Sequence, residues 1–222
     1  MTLDQISLRS RDGVSITAFR ALPAGSVHAG LVVVQEIFGV NAHIRAVCEQ
    51  YAHLGYAVLA PAFFDRVRPG VELGYGEEEF ATGRQLAVEV GFDAALRDVR
   101  AAADALTPHG RVGVVGYCWG GTVAFLAATR LGLPAVSYYG ARTVPFLHEH
   151  PQAPVMFHFG EKDASISAEN VDAIRHAVPQ AKVFTYPAGH AFNRHGHKDC
   201  HVTSAELALQ RSLDFLQEHL HA

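Results

Sequence analysis

One predicted strand–helix junction constrains the fold of this chain more than any other feature, because a cysteine lies there between two glycines. A valine-rich run, 111–115, precedes the cysteine, and an apolar run, 122–128, follows it with the composition of a buried helix. The pattern G-x-C-x-G is that of a nucleophile elbow with Cys118 in place of serine. The turn is so tight that it excludes bulk two residues away on either side, and Gly116 and Gly120 meet that requirement.

The predicted elbow also determines the electrostatic surroundings of the Cys118 sulfur. An elbow presents its central side chain above the sheet edge, at the N-terminus of the following helix. There the helix dipole favours an anionic sulfur and lowers the pKa of the thiol. The alternative is a buried cysteine in an ordinary strand–helix turn, and the five-residue pattern alone leaves both interpretations open.

Size and composition predict one α/β domain over residues 1–222. The 222 residues are 49% hydrophobic and 18% charged, which is enough for a large core. The formal net charge is −4 and no basic block is present, so neither a nucleic acid nor an anionic membrane is expected as a partner. No apolar run approaches the roughly 20 residues that cross a bilayer. We expect a monomer or small homo-oligomer that binds a small molecule.

The three cysteines, Cys48, Cys118 and Cys200, predict a reducing compartment. Their odd number and wide spacing argue against a disulfide framework. The residues after Met1 carry neither the basic nor the apolar segment of a signal peptide. We therefore expect a cytoplasmic protein.

Strand and helix signals alternate from residue 30 onward, after a predicted antiparallel hairpin within 5–20. This alternation predicts an α/β fold with a mostly parallel sheet flanked by helices on both faces. Asn41 is a predicted helix N-cap, and Gly55 ends the same helix. Ligands of such sheets bind beyond the carboxyl ends of the strands. The further predicted strands are 30–35, 56–60, 111–115, 134–140, 154–160 and 182–186, and the predicted helices are 42–54, 77–90, a helix from an interruption at 91–93 to about 106, 122–128, 167–177 and 203–219.

A cysteine nucleophile needs a base, and the base needs an acid that orients it. Asp163 and His190 each follow a predicted strand. The order Cys118, Asp163, His190 is the order nucleophile, acid, histidine of the α/β-hydrolase arrangement. For the acid, the alternative is an exposed turn residue or a helix N-cap. The order and the positions of all three residues together favour a catalytic triad.

A tetrahedral intermediate at Cys118 needs hydrogen-bond donors for its oxyanion. The backbone N–H of Trp119, directly after the nucleophile, is one candidate, and the backbone N–H of Ile37, in the loop after the strand 30–35, is the other. A free thiol has a pKa of about 8.5, so only a minority of it is anionic near neutral pH. The His190 imidazole would therefore hold the sulfur as thiolate during turnover, and it would later activate water.

Four segments together resemble the dienelactone hydrolase family (carboxymethylenebutenolidase). They are Q-E-I-F-G-V-N at 35–41, the elbow at 113–121, G-E-K-D at 160–163 and G-H at 189–190. The resemblance covers nearly the whole chain and implies an α/β-hydrolase fold with a Cys-Asp-His triad at the three positions named above, without metal or organic cofactor. The implied reaction is hydrolysis of the enol-lactone dienelactone to maleylacetate, a step in the degradation of chlorinated aromatic compounds through chlorocatechols.

The resemblance also implies roles for three charged residues. Glu36 matches a glutamate that holds the resting thiol and takes its proton when substrate arrives, and a carboxylate beside the nucleophile would oppose thiolate formation. Arg194 matches an arginine that binds the substrate carboxylate, a task suited to a guanidinium. The region of a second such arginine reads E-E-E at 77–79, and Arg84 is only an approximate substitute. The alternatives are an acidic loop residue for Glu36 and a surface arginine for Arg194.

Histidines outside these motifs are assigned to structure rather than to chemistry. The stretch 195–201 contains histidines and a cysteine, but its composition favours a solvated polar loop over a metal site. His158 lies on a predicted strand and is expected to be a hydrogen-bonded core residue.

Three functions are open from the sequence. The first is a cysteine hydrolase of carboxylate-bearing lactones or esters, and the second is a broader carboxylesterase or thioesterase on the same scaffold. The third is a non-catalytic small-molecule binder that kept the fold. The complete Cys-Asp-His set favours an enzyme over a binder.

Overall fold

Eight strands and five α-helices alternate within residues 1–220, which the computed structural model describes, and they confirm the predicted α/β class. The strands are β1 Thr2–Arg9, β2 Ser15–Leu22, β3 Ala29–Val34, β4 Tyr56–Pro61, β5 Val112–Tyr117, β6 Ala135–Tyr138, β7 Val155–Gly160 and β8 Lys182–Tyr186. The helices are α1 Ala42–His53, α2 Glu77–Leu106, α3 Trp119–Leu131, α4 Ala168–Ala177 and α5 Val202–Leu220. Short 3₁₀ helices lie at Phe63–Arg66, Thr107–His109 and Val144–Phe146.

The described residues divide into two compact units, 1–114 and the residues from Val115 onward, so the division falls within β5. The strand order is β1-β2-β4-β3-β5 in the first unit and β5-β6-β7-β8 in the second. The expected single domain over residues 1–222 stays a prediction.

The first unit begins with the predicted antiparallel hairpin, in which Thr2 of β1 pairs with Leu22 of β2. The turn between these strands contains Gly13 at a φ of 84°, a conformation that costs glycine little. β2 pairs with β4 antiparallel, and β3 pairs with β4 parallel. Every residue of β3 and β4 is buried, which explains why their sequences are apolar throughout rather than alternating.

The predicted helix boundaries of the first unit are largely confirmed. The Asn41 side chain accepts a hydrogen bond from the backbone N–H of Ile44 and so caps α1. Leu54 is the C-cap, and Gly55 follows it at a φ of 92°. The predicted interruption of α2 is confirmed: at Gly91 φ is 67° and ψ is 166°, values outside the helical range, so a helical segment lies on either side of this residue.

The second unit brings three strand ends together. β6, β7 and β8 are parallel neighbours, with Tyr138 opposite His158 and Gly160 opposite Tyr186. Because the strands are parallel, the turns that follow them lie at the same edge, and Asp163 comes directly after β7.

Burial of the second unit's helices follows their small and apolar residues. α3 is buried over residues 119–129, which explains its apolar sequence. On α5 the sequence offers Leu207 for the buried face, but Leu207 is 44% exposed. The buried face instead follows Ala208, Ser212 and Phe215, at helical spacing. Within residues 1–220, no helix combines the length and the apolar character that crossing a membrane requires.

Candidate active site

Cys118 occupies a strained turn between β5 and α3. Its φ is 55° and its ψ is −118°, values that side-chain-bearing residues rarely adopt. Two backbone hydrogen bonds hold the turn: the Cys118 N–H donates to the Tyr138 carbonyl at 3.0 Å, and the Gly121 N–H donates to the Cys118 carbonyl at 2.9 Å. The residue is half-buried and lies at the N-terminus of α3. This is the geometry of a nucleophile elbow.

Glycine is required on both sides of this turn. A Cβ at position 116 would lie 1.8 Å from the Gly120 carbonyl oxygen. A Cβ at position 121 would lie 2.5 Å from the Tyr138 carbonyl oxygen. The sequence indicated the first requirement, whereas the second depends on the distant β6 turn and could not be read from the motif.

Asp163 and His190 are brought together in the second unit. His190 Nδ1 lies 2.6 Å from Asp163 Oδ2, and the Asp163 side chain is completely buried. The other carboxylate oxygen accepts a hydrogen bond from the Ser165 N–H at 2.8 Å. Because a carboxylate only accepts, the His190 proton in this contact lies on Nδ1. The second ring nitrogen, Nε2, is therefore the one available for proton transfer.

The Cys118 sulfur also accepts a hydrogen bond from His190. Burial alone would lower the pKa of His190, but the hydrogen bonds to Asp163 and Cys118, together with the charges of both groups, outweigh it and raise the pKa to about 10. The imidazole thus lies between the Asp163 carboxylate on one side and the Cys118 sulfur on the other. Such an arrangement can hold a thiolate–imidazolium pair and can shuttle a proton.

Residues that belong to no catalytic motif hold the His190 loop. Ala191, the next residue, has a φ of 57°, and Tyr139 has a φ of 41°. The Tyr139 ring lies 5.0 Å from the His190 ring and 5.5 Å from the Phe192 ring, between centroids. Phe192 is fully buried. Strain at Tyr139 and Ala191 has no local sequence signal, because neither residue is one that favours positive φ.

The loops of Asp163 and His190 contact each other through their backbones. A Cβ at Gly160 would lie 2.4 Å from the Ala188 carbonyl oxygen, so only glycine allows this approach. The same carbonyl accepts a hydrogen bond from the Lys162 N–H at 2.9 Å. The glycine of the G-E-K-D segment therefore has a steric role that its position in the motif did not reveal.

Three candidate residues lie in the first unit. Glu36 is completely buried, and Ile37 is 5% exposed. A Cβ at Gly83 would lie 1.9 Å from the Ile37 carbonyl oxygen, so α2 lies against the backbone of this loop only because residue 83 is glycine. Arg84, the next residue of α2, is exposed, and its guanidinium carbon is 6.0 Å from the Phe80 ring centroid. The catalytic and substrate-binding roles of these residues stay predictions.

Two further candidates lie in the second unit. Trp119 is the first residue of α3 and is 7% exposed. The Arg194 side chain is buried, with its guanidinium 3.9 Å from the Asp199 carboxylate. A buried guanidinium is able to bind an anion strongly.

The stretch 195–201 does not gather a metal-ligand set. Cys200 Sγ lies 3.8 Å from His195 Nδ1, and Asp199 Oδ2 lies 3.1 Å from His197 Nδ1. Among residues 1–220, no three His, Cys, Asp or Glu side chains are grouped in a way that could hold a metal ion.

The fold defines the class of protein, an α/β hydrolase. A model of the dienelactone hydrolase family matches residues 16–220. The chain belongs to that family and is a hydrolase that acts on ester or lactone bonds.

Relatives and solved structures agree with this assignment. Carboxymethylenebutenolidase of Pseudomonas putida is 33% identical, over 97% of this chain and 97% of its own. Carboxymethylenebutenolidase 1 of Cupriavidus pinatubonensis is 29% identical, over 97% of each chain. A crystal structure from Klebsiella pneumoniae that is assigned to the dienelactone hydrolases has a TM-score of 0.88 at 30% identity, covering 98% of this chain and 99% of that one.

Proposed function

We propose that this enzyme hydrolyses dienelactone-type enol-lactones, with Cys118 as nucleophile, His190 as the proton shuttle and Asp163 as the acid that orients the imidazole. The observation that carries the proposal is the position of His190, which is hydrogen-bonded to Asp163 on one side and to Cys118 on the other. That arrangement supplies a nucleophile and a proton donor for the departing oxygen, which are the two groups that lactone opening needs.

The first half of the reaction forms a thioester. The Cys118 sulfur attacks the lactone carbonyl carbon, and the resulting oxyanion collapses with breakage of the ring C–O bond. The departing enolate oxygen takes a proton from the His190 imidazolium, and the enol then tautomerises to the ketone of maleylacetate. The acyl group stays on sulfur. Asp163 keeps the Nδ1 proton in place, so Nε2 delivers the proton.

The second half restores the enzyme. The His190 imidazole takes a proton from water, and the water oxygen attacks the thioester carbon. Breakage of the C–S bond releases the product acid, which ionises in water, and the departing Cys118 thiolate recovers its proton from Glu36, so that the resting enzyme is restored. The backbone N–H groups of Trp119 and Ile37 are the proposed donors to the oxyanion in both halves. These steps transfer only protons and an acyl group, so the proposed reaction uses no redox cofactor.

Glu36 and Arg194 are assigned supporting roles in this proposal. Glu36 keeps the resting Cys118 protonated through like-charge repulsion and accepts the thiol proton when substrate arrives. Arg194 binds the substrate carboxylate, which its buried guanidinium supports because such a cation attracts an anionic group strongly. Arg84 is the proposed second contact to that carboxylate. With dienelactone as substrate, the enzyme would act in the degradation of chlorinated aromatic compounds.

The experiment is a nucleophile replacement assayed with dienelactone. The Cys118→Ala variant is expected to lose both hydrolysis and rapid labelling by iodoacetamide. Mass spectrometry of the peptides identifies the labelled cysteine. Cys200→Ala is the matched control, because Cys200 is also partly exposed, and it is expected to keep both. Dienelactone turnover that survives in Cys118→Ala would refute the proposed nucleophile.

A broader carboxylesterase or thioesterase activity is the second candidate. Arg84 is exposed, and the acidic residues Glu77, Glu78 and Glu79 lie in the first turn of the same helix, which favours a less carboxylate-selective site. A panel of dienelactone and neutral aryl esters distinguishes the two. If kcat/KM for neutral esters exceeds that for dienelactone, and Arg194→Met leaves both unchanged, the broader activity is the correct one.

A further inference from the structure

A buried polar hub connects strands β6, β7 and β8 to helix α5. It consists of Tyr138, His158, Tyr186 and Ser212, all of them buried. The Ser212 hydroxyl lies 2.8 Å from the Tyr138 hydroxyl and 3.0 Å from His158 Nε2. His158 Nδ1 lies 2.8 Å from the Tyr186 hydroxyl. Four side chains from four elements thus form one continuous hydrogen-bonded chain.

The direction of each hydrogen bond in the hub follows from the donors available. Ser212 donates its single hydrogen to the Ala208 carbonyl at 2.8 Å, so it accepts from both Tyr138 and His158. His158 therefore carries its proton on Nε2, and Nδ1 is an acceptor. Tyr186 donates to Nδ1.

Arg211 completes the hub at its outer end. Its Nη1 donates to the Tyr186 hydroxyl at 3.1 Å, which leaves the Tyr186 hydrogen for His158. Every hydrogen bond is satisfied only when His158 is neutral and in the Nε2–H form. Burial, and after it the charge of Arg211, lower the pKa of His158 to about 3, which agrees with this assignment.

The two tyrosines of the hub hold the catalytic turns through their backbone carbonyls. The Tyr138 carbonyl accepts the Cys118 N–H at 3.0 Å. The Tyr186 carbonyl accepts the Glu161 N–H at 2.8 Å, next to the Asp163 turn, and the Ala188 N–H at 2.7 Å, at the start of the His190 loop. The residues that set these three turns are therefore the same residues whose hydroxyls meet at His158 and Ser212.

Ring packing adds a second link from the hub to the catalytic histidine. The Phe192 ring lies 5.1 Å from the Tyr186 ring and 6.3 Å from the Tyr138 ring. Phe192 is two residues after His190, and it also packs on Tyr139, whose ring contacts His190. A shift of either tyrosine would therefore move the His190 loop as well as the nucleophile turn.

We propose that His158 and Ser212 are positioning residues, which set the distance between the Cys118 turn and the His190 loop by joining Tyr138 to Tyr186. The proposal rests on the proposed function, since it assigns a purpose to the spacing of Cys118 and His190. Neither residue touches the substrate. Misplacement of reacting groups by about 1 Å can cost on the order of 100-fold in rate.

The kinetic test compares Ser212→Ala with Thr129→Val. Thr129 is the control because it too is buried on a helix and donates to a carbonyl four residues earlier, that of Phe125, which is not a hub residue. Ser212→Ala is expected to lower kcat about 10- to 100-fold with KM little changed, whereas Thr129→Val keeps the wild-type kcat. Both are measured well below the unfolding temperature of each variant.

Alkylation separates positioning from mere stabilisation. In folded Ser212→Ala, labelling of Cys118 by iodoacetamide at neutral pH is expected to slow, because the His190 imidazolium would lie farther from the sulfur that it activates. A purely structural role would leave the labelling of the folded protein unchanged, and that result would overturn the proposal. If Ser212→Ala does not fold, Tyr138→Phe, which removes only one hydroxyl, is measured in the same way.

A spectroscopic test does not depend on activity. Nitrogen-15 NMR of labelled histidine is expected to show His158 as the neutral Nε2–H form with an exchange-protected proton at neutral pH. A charged or Nδ1–H His158 would overturn the hub assignment. Absence of Cys118-dependent hydrolysis in the wild type would instead refute the proposed function, so the two failures are distinguishable.

Discussion

His190 donates from Nδ1 to the Asp163 carboxylate across 2.6 Å, and that carboxylate is wholly shielded from solvent. A buried acceptor at this position fixes the tautomer of the ring and stabilises its protonated form. This hydrogen bond engages Nδ1, so Nε2 is the ring nitrogen that is left to exchange a proton with the reacting groups. It also makes the pKa of His190 depend on Asp163, because that hydrogen bond is the largest of the effects that raise it.

Replacement of Asp163 by asparagine is expected to lower kcat by about 10³- to 10⁴-fold with little change in fold. An amide can donate as well as accept, so the ring would no longer be held with its proton on Nδ1. The measurement is steady-state hydrolysis by Asp163→Asn. Asp172→Asn, which removes the charge of an exposed aspartate paired with Arg175, is the control and is expected to behave as wild type. Equal rates in the two variants would contradict the role of Asp163.

The raised pKa of His190 is expected to give a distinct pH dependence of stability. The folded pKa of about 10 lies above the unfolded value of about 6.5, so the stabilisation is fully present below pH 6.5 and is lost as the pH rises through 10. Urea unfolding from pH 6 to 10.5 would measure it. The difference in unfolding free energy between wild type and His190→Gln is expected to shrink over that range.

The contribution of Cys118 to the raised pKa of His190 can be tested separately. Because the Cys118 hydrogen bond and charge help to raise the pKa of His190, Cys118→Ala is expected to lower the pKa of this imidazole, as followed by NMR. An unchanged pKa would mean that the sulfur does not interact with the ring in solution.

Alanine at position 116 is expected to disrupt the elbow. The new Cβ would lie 1.8 Å from a backbone oxygen, which no side-chain rearrangement can relieve, and a cost of about 3 kcal/mol or more is expected. Gly132→Ala is the control because Gly132 has a φ of 66° but no atom within 4 Å of the added Cβ. Its cost is expected to be only about 1 kcal/mol. Denaturant unfolding of both variants tests the steric argument, which fails if the two costs are equal.

The alternation of strands and helices and the turns that carry Cys118, Asp163 and His190 could be predicted because their signals are local. Valine-rich runs, glycines and caps act within a few residues of the structure they determine. Local signals do not decide which side of a helix is buried: Leu207 is apolar but exposed, because the buried face of α5 is the side that meets the strands.

The polar hub could not be predicted, since its contacts join residues far apart in the chain. Ser212 is 54 residues from His158 and 74 from Tyr138. A serine on an amphipathic helix and a histidine on a strand have no shared pattern that would pair them. The sequence predicted a hydrogen-bonded core histidine at 158, which is confirmed, but not its partners.

Loss of Arg66 is expected to be the most costly single charge deletion in the first unit. Its Nε and Nη2 each lie 2.7 Å from a carboxylate oxygen of Asp98, and Asp98 is completely buried. Arg66→Met would leave that carboxylate buried without its cation, at a cost of about 3–5 kcal/mol. Arg175→Met, which breaks an exposed pair, is expected to cost less than about 1 kcal/mol. Urea unfolding measures the loss of unfolding free energy in each variant. Equal losses would contradict the argument that burial of Asp98 makes the Arg66 pair the more costly one to break.

Glutamine at position 36 tests the proposed control of the resting thiol. Two influences on the Cys118 sulfur oppose each other in the proposal: the His190 imidazolium favours the thiolate, and the Glu36 carboxylate disfavours it. Glu36→Gln removes only the second, so iodoacetamide labelling without substrate is expected to speed up. Hydrolysis is expected to fall, because the acceptor of the thiol proton is gone. Glu89→Gln, an exposed glutamate of α2, should change neither rate. Labelling that stays at the wild-type rate would show that the buried carboxylate does not govern the charge of the sulfur.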